Sequence, residues 1–479
     1  MANVKKNLIY QSIYRVLTII TPLITSPYLS RVLGANELGR YSYTMSIVSY
    51  FNLIAALGTE LYGTREIARV RVKQSKEKIS ETFWGIYIVQ MSMSLLAMLS
   101  YFFFIRVIYT KDFWLALIQG IWIMSTLLDI NWFFFGMEEF KYTVVRNCIV
   151  KIVGIVFILL FVRHSNDLLI YAFIMGGTMV ISQLMLWAYM PKYVIRPRLK
   201  INMITMHIIP NLKLFIPLIG SSVYWTMDKT MLGIFSDYNN VGYYYNADKV
   251  MNIPLNLIIG IGTVMLPRMT YLIQSDEMKK WKEMFDKSVE LYIFMAAAIG
   301  GGIAAIANEF VPFFFGSGYD PCVYLIIAFA PILLLKALND MLKNQYIIPS
   351  GQEKVYTYAV FGGAISNFFA NYFFIKMFGA FGALIATGVA EVVVFLIQDI
   401  LCKDIKIMKL AMKNFWYIIF AIAMYFCVRL ISSIINTNIY ISLLAEIIIG
   451  ALVYILLCIL YWKITKRVDF HAIMKKKRL

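Results

Sequence analysis

Apolar residues fall along this chain in blocks of roughly twenty to thirty, separated by short polar stretches. Blocks such as 152–161 and 445–460 are apolar all round, with none of the period-two alternation that a membrane β-strand would show. About 20 residues at 1.5 Å each cover the ~30 Å hydrocarbon core, and a helix satisfies its own backbone there. The pattern therefore predicts an all-α polytopic membrane protein. About fourteen transmembrane helices are expected, at 7–33, 40–63, 81–107, 113–136, 144–163, 167–190, 212–236, 244–270, 286–314, 321–346, 355–377, 379–401, 414–434 and 439–462. The first block follows Lys5 and Lys6, but it is too long for a signal peptide, contains Arg15 and ends at no small-residue cleavage site. It is read as a retained span.

Composition sharpens this. Sixty per cent of the 479 residues are hydrophobic and 15% charged, with a mean hydropathy of +0.70. A soluble fold could not hide that much apolar surface. The net charge of +18 is concentrated in alternate connections: Arg65 to Lys78, Lys192 to Lys200, Lys279 to Lys282, Lys403 to Lys413 and the tail Lys475 to Arg478. Connections near Asp237, Gly316 and Asn436 carry no Lys or Arg. The positive-inside rule then places the basic loops and both termini in the cytoplasm. Nucleic-acid binding, the other reading of such a charge, would need one basic groove, and these residues are scattered over successive loops. Attraction to anionic lipid head groups fits them better. Five cysteines lying mostly in or beside spans do not make a disulfide framework.

An internal repeat of roughly 200 residues runs through the chain. Pro22-Leu-Ile, Leu33-Gly34 and Leu38-Gly39-Arg40-Tyr41 correspond in order to Pro217-Leu-Ile, Leu232-Gly233 and Val241-Gly242-Tyr243-Tyr244. Gly136 to Thr143 opens the fifth span as Gly351 to Thr357 opens the eleventh. Six spans separate the equivalents, so the halves run parallel, one of the recurring transporter plans. The expected organisation is 1–200 and 201–402, each a six-helix bundle, and 403–479 with two extra helices and a basic cytoplasmic tail.

The runs Pro27-Tyr-Leu-Ser-Arg31-Val-Leu-Gly34-Ala-Asn-Glu37-Leu-Gly39-Arg40-Tyr41 and Ala56-Leu-Gly58-Thr-Glu60-Leu-Tyr-Gly63-Thr-Arg65-Glu66 resemble the start of bacterial oligosaccharide flippases. These are the Wzx-type polysaccharide biosynthesis proteins, within the superfamily that also holds multidrug exporters and lipid II flippases. Trp132-Phe-Phe-Phe-Gly136, and Asp228-Lys229 through Gly242-Tyr-Tyr, are similar to the same family. The resemblance implies two six-helix bundles in a V around a central cavity. It also implies an undecaprenyl-diphosphate-linked oligosaccharide as substrate, carried from the cytoplasmic to the outer leaflet of the bacterial inner membrane by alternating access. Surface polysaccharide assembly would follow, with a polymerase and glycosyltransferases of the same pathway as further partners. A diphosphate bearing sugars cannot cross hydrocarbon unaided, because desolvating its charge costs too much.

Charges at membrane depth are the candidate site residues. Arg15 lies roughly 12 Å into the first span; it either meets the diphosphate or snorkels to the interface. Arg31 and Arg40 flank the turn between the first two spans, as a gate or as a solvated pair. Asp228 and Lys229 point about 100° apart on their helix and do not pair with each other. Asp248 and Lys249 are candidate partners, making the four a structural clamp; otherwise Asp228 is free to carry a coupling ion. Lys336, Asp340 and Asn344 share one helix face, suited to a hydrated cavity or to mutual satisfaction. Glu391 is a lone acid, either ion-coupling or bonded to a neighbouring helix. Arg146, Lys151 and Arg429 are read as interfacial.

The chain has no Gly-x4-Gly-Lys-[Ser/Thr] phosphate loop, no His-Glu-x-x-His and only three histidines, so no ATP hydrolysis, no zinc and no cofactor is expected. Coupling to H+ or Na+ stays open. A lipid II flippase or a cation-coupled drug exporter shares the repeat. A membrane glycosyltransferase or polymerase shares the hydrophobic body but brings a large outer loop, and this chain has only short ones. The expectation is a flippase and not an enzyme.

Overall fold

In a computed structural model 89% of the described residues are helical. The structure describes all residues except 1, 73–74, 196–199, 403–404, 435–437 and 466–479, together with the backbone but not the side chains of 2–16 and 217. Arg15 therefore has no described side chain. The chain divides into two compact units, Met1–Tyr245 and Asn246–Leu479.

The first unit contains α1 (Ala2–Ala56), α2 (Thr59–Arg71), α3 (Lys76–Val107), α4 (Phe113–Gln119), α5 (Ile121–Leu127), α6 (Asn131–Gly136), α7 (Phe140–Phe161), α8 (Leu168–Trp187), α9 (Met190–Tyr193), α10 (Ile201–Thr205), α11 (Ile208–Phe235) and the start of α12 (Tyr238–Gln274). The second holds the rest of α12 with α13 (Met278–Ala305), α14 (Ala307–Phe315), α15 (Asp320–Leu342), α16 (Glu353–Phe378), α17 (Ala380–Leu401), α18 (Ile407–Lys413), α19 (Trp416–Ile434) and α20 (Ile439–Ile464).

Among the described residues, ten helical segments are long and apolar enough to cross a membrane, and the bent pair Ile201–Ile216 with Leu218–Phe235 makes an eleventh if taken as one span. The two arms of α1 and α16 are the remaining long helices. α11 bends by 47° between Ile216 and Leu218, where the sequence places a proline with no N–H to donate. The turn expected between the first two spans shrinks to a single residue. Only Gly34 leaves the helix, at φ 76° and ψ 174°, a region closed to residues with a Cβ.

Both units keep large apolar side chains on their outer faces, as lipid requires: Leu99, Phe103, Phe161 and Phe173 in the first, Tyr358, Phe373 and Leu456 in the second. Aromatic packing fills the interior at the basic end of the first unit, where Phe83, Trp132, Phe133 and Phe134 are all at most 2% exposed. In the second unit α16 packs along α17 and α13 along α15. The last two helices are fastened to the unit by an ion pair at 2.6 Å between Arg429 of α19 and Glu309 of α14. Arg429, expected at the interface, is thus a tie between helices. The five cysteines are not joined in disulfides.

Candidate functional site

The polar side chains of the first unit gather in three places, and the helix period explains each. Along α1, residues 41, 42, 45, 46 and 49 recur at three- and four-residue intervals and share one face. With Trp122 of α5, Tyr171 and Met175 of α8, Trp225, Thr226 and Lys229 of α11, and Tyr245, they enclose a cavity of about 260 Å³. Its walls are aromatic rings and small hydroxyls, with Lys229 the cation among them. The Lys229 ammonium lies 5.7 Å from the Tyr245 ring centre, and Tyr41 packs on Tyr171 at 4.8 Å. Below the rings, Thr230 donates to Ser46 at 2.8 Å and lies 3.2 Å from the Tyr50 hydroxyl.

Asp228 and Lys229, adjacent in sequence, take different directions on the helix. Lys229 lines the cavity, whereas the buried Asp228 carboxylate accepts the Tyr244 hydroxyl at 2.6 Å and ties α11 to α12.

One end of the cavity meets a close helix contact. A Cβ built on Gly39 would lie 1.7 Å from the Tyr238 carbonyl oxygen, and one built on Gly242 would lie 2.0 Å from that of Ala35. These glycines are equivalents in the sequence repeat, so the same approach is made twice in reciprocal form. Beside it the Arg40 guanidinium donates to Asp112 at 2.7 Å and to Glu37 at 2.8 Å, and Asp112 also accepts from Tyr238 at 2.6 Å and Tyr109 at 3.0 Å. Burial alone would raise the Asp112 carboxyl; the hydrogen bonds from Tyr238 and Arg40, with the Arg40 charge, outweigh it and hold the group below the ordinary aspartate value. Arg40 is therefore held in an ion-pair network beside this contact. Arg31 instead donates back to the Pro27 carbonyl at 3.1 Å. The Asp112 partnership was hidden in sequence because Asp112 comes from a different connection.

The third cluster surrounds the break between α5 and α6. A broken helix in a membrane leaves carbonyls that lipid cannot satisfy. Gln90 of α3 donates to the carbonyls of Thr126 at 2.7 Å and Asp129 at 2.8 Å, and its own carbonyl accepts from Trp132 at 2.9 Å. Trp187 donates to Leu128 O at 2.9 Å. Arg146, expected at the interface, is instead buried at 4% exposure. Its guanidinium donates to Ser182 O, Asn131 and Asn147 at 3.1, 2.9 and 2.6 Å.

In the second unit the Asp340 carboxylate accepts from Lys343 at 2.6 Å and Asn344 at 2.8 Å. Lys336 lies 5.9 Å from the Phe329 ring centre. Glu391 of α17 is buried and accepts from Asn339 of α15 at 2.7 Å, so it joins two neighbouring helices. Asp248 accepts from Asn252 at 2.8 Å, and Lys249 stands next to it on α12.

Residues 4–273 match a family described as polysaccharide biosynthesis protein. A relative from Shigella dysenteriae, named "Putative O-antigen transporter", is 23% identical over 402 residues, covering 82% of this chain and 98% of its own. Among solved structures, one titled "Lipid II flippase MurJ, inward closed conformation" superposes with a TM-score of 0.77 at 14% identity, covering 95% of this chain and 98% of its own. An inward-facing multidrug resistance MATE family transporter of the MOP superfamily gives 0.64 at 12% identity, over 83% and 98%. At these identities the likeness to the solved structures is one of fold.

Proposed function

Because the chain belongs to the polysaccharide biosynthesis protein family, we propose that it is a flippase for a lipid-linked oligosaccharide, carrying an undecaprenyl-diphosphate repeat unit across the bacterial inner membrane by alternating access. The observation that carries this reading is the cavity of α1, α8 and α11. Hydroxyls such as Ser42, Ser46, Ser49 and Thr226 match the donors and acceptors of a sugar. Trp122, Trp225 and Tyr171 offer faces for its ring, and Lys229 an ammonium for an anionic group. Family relatives of known name support the cargo class, since the Shigella protein is named for O-antigen transport.

In this reading the basic loops and both termini face the cytoplasm, and the Gly39–Gly242 contact seals the outer end. The head group would pass through the protein while its lipid tail stays in the bilayer. Driving force would come from membrane potential or an H+ or Na+ gradient. The protein itself would perform no bond-making step, and glycosyltransferases and a polymerase would act before and after it.

The test is deletion followed by complementation. Loss of the gene should leave undecaprenyl-diphosphate-linked repeat units in the inner leaflet and remove the surface polysaccharide; normal polysaccharide with no accumulated intermediate would overturn the assignment. Arg15→Ala should abolish export at unchanged protein abundance if that residue meets the diphosphate, and leave it intact if the side chain snorkels.

A further inference from the structure

A second and larger cavity lies wholly within the other unit. It measures about 670 Å³ and is bounded by the first two turns of α13, by Tyr346 and by the short α18 with the residues just before it. Its floor is aromatic: Trp281 stacks on Phe285 at 4.9 Å and meets Tyr346 at 5.5 Å, and the Trp281 indole is fixed by donating to Gln345 O at 3.2 Å. Around that floor stand Lys282, Lys406, Lys409 and Lys413, against the one carboxylate of Asp286. None of the four is held in an ion pair among the described residues. The Asp286 Oδ1 is withdrawn from solvent without a hydrogen-bond partner, so it does not offset them by pairing.

The sequence of α18 gives this cavity a direction. Ile407 is buried against the unit. Met408 and Met412, four residues apart, are exposed together, and Phe415 and Trp416 continue that apolar side. Lys409 and Lys413 recur at the same interval about 100° away. A short helix with exposed apolar side chains beside a lysine face is built to lie where acyl chains end and head groups begin.

We propose that this cavity binds an anionic phospholipid, its phosphate held by Lys406, Lys409 and Lys413 and its upper acyl chain laid along Met278 and Leu410, over the buried Trp281 and Phe285. The proposal is independent of the transported cargo: it concerns the second unit alone and would stand if the cargo assignment fell.

The test uses the full-length protein in detergent, titrated with phosphatidylglycerol or with phosphatidylcholine of the same chains and read by native mass spectrometry. Wild-type protein should retain phosphatidylglycerol in preference to phosphatidylcholine. The triple variant Lys406→Gln/Lys409→Gln/Lys413→Gln should weaken that binding at least about tenfold at unchanged thermal stability, each cation adding to the attraction. Lys282→Gln, on another helix, should weaken it less and checks against misfolding of α18. Equal retention of both lipids, an unchanged triple variant, or displacement of phosphatidylglycerol by millimolar inorganic phosphate would each overturn it, the last by pointing to a site for soluble anions.

Discussion

Gly39 and Gly242 stand at equivalent points of two sequence repeats and lie against each other's helix, each with its Cα close to a carbonyl four residues before the other. Neither position has room for a methyl group. The helices therefore approach as closely as backbones can, and the Arg40–Asp112–Tyr238 network sits beside the contact.

Replacing either glycine should force this contact open. Gly39→Ala would place its Cβ 1.7 Å from the Tyr238 oxygen and Gly242→Ala 2.0 Å from the Ala35 oxygen, and backbone cannot yield as a side-chain tip can. Both variants should lose export and increase labelling of a cysteine placed at Ser46 by a membrane-impermeant thiol reagent. Unchanged labelling would show that the contact does not limit access to the cavity.

The pH response of the network follows from the lowered pKa of Asp112. A carboxyl whose folded pKa lies below its unfolded value stabilises the fold above the unfolded value and loses that contribution as pH falls through the folded one. Amide protection across residues 35–43, corrected for intrinsic exchange rates, should stay level from neutral pH to about pH 4, the ordinary aspartate range, and fall below it. Asp112→Asn should show reduced protection already at pH 7 and lack the acid step.

In the cavity, Lys229→Gln should reduce export roughly tenfold or more at equal abundance, the scale of one lost charge-assisted hydrogen bond. Lys229→Arg should recover part of it. Trp225→Ala should have a smaller effect, about two- to tenfold, on the scale of an aromatic contact. Export assays in the complemented deletion strain, normalised to membrane protein, separate the three.

Gln90→Ala should destabilise the first unit without touching the cavity. It strands the carbonyls of Thr126 and Asp129 and the Trp132 N–H, and each buried group left unsatisfied costs about 1–3 kcal/mol. A lowered thermal midpoint in detergent is the expected result, and Gln90→Glu should rescue only the tryptophan contact.

Much of the fold was legible in the chain because lipid imposes a single rule on it. A segment that crosses hydrocarbon must be long, apolar and helical, so blocks such as 439–462 and 81–107 announce themselves, and α20 and α3 follow them closely. Local geometry was legible too: neighbours on a helix diverge, which separates Asp228 from Lys229, and Gly34 marks a turn, whereas the close approach at Gly39 was decided by packing. Partners were not. Asp112 for Arg40 comes from a distant connection, and Glu309 for Arg429 and Ser182 for Arg146 come from other helices. No periodicity encodes which helix packs beside which. Arg146 and Arg429 looked interfacial because a lone arginine in an apolar block has two ways to avoid lipid, reaching the surface or finding acceptors inside. Hydrophobicity alone determined that this protein lives in a membrane as a bundle of helices; tertiary packing alone decided which of its charges were satisfied within and which, like Lys229, were turned toward a cavity.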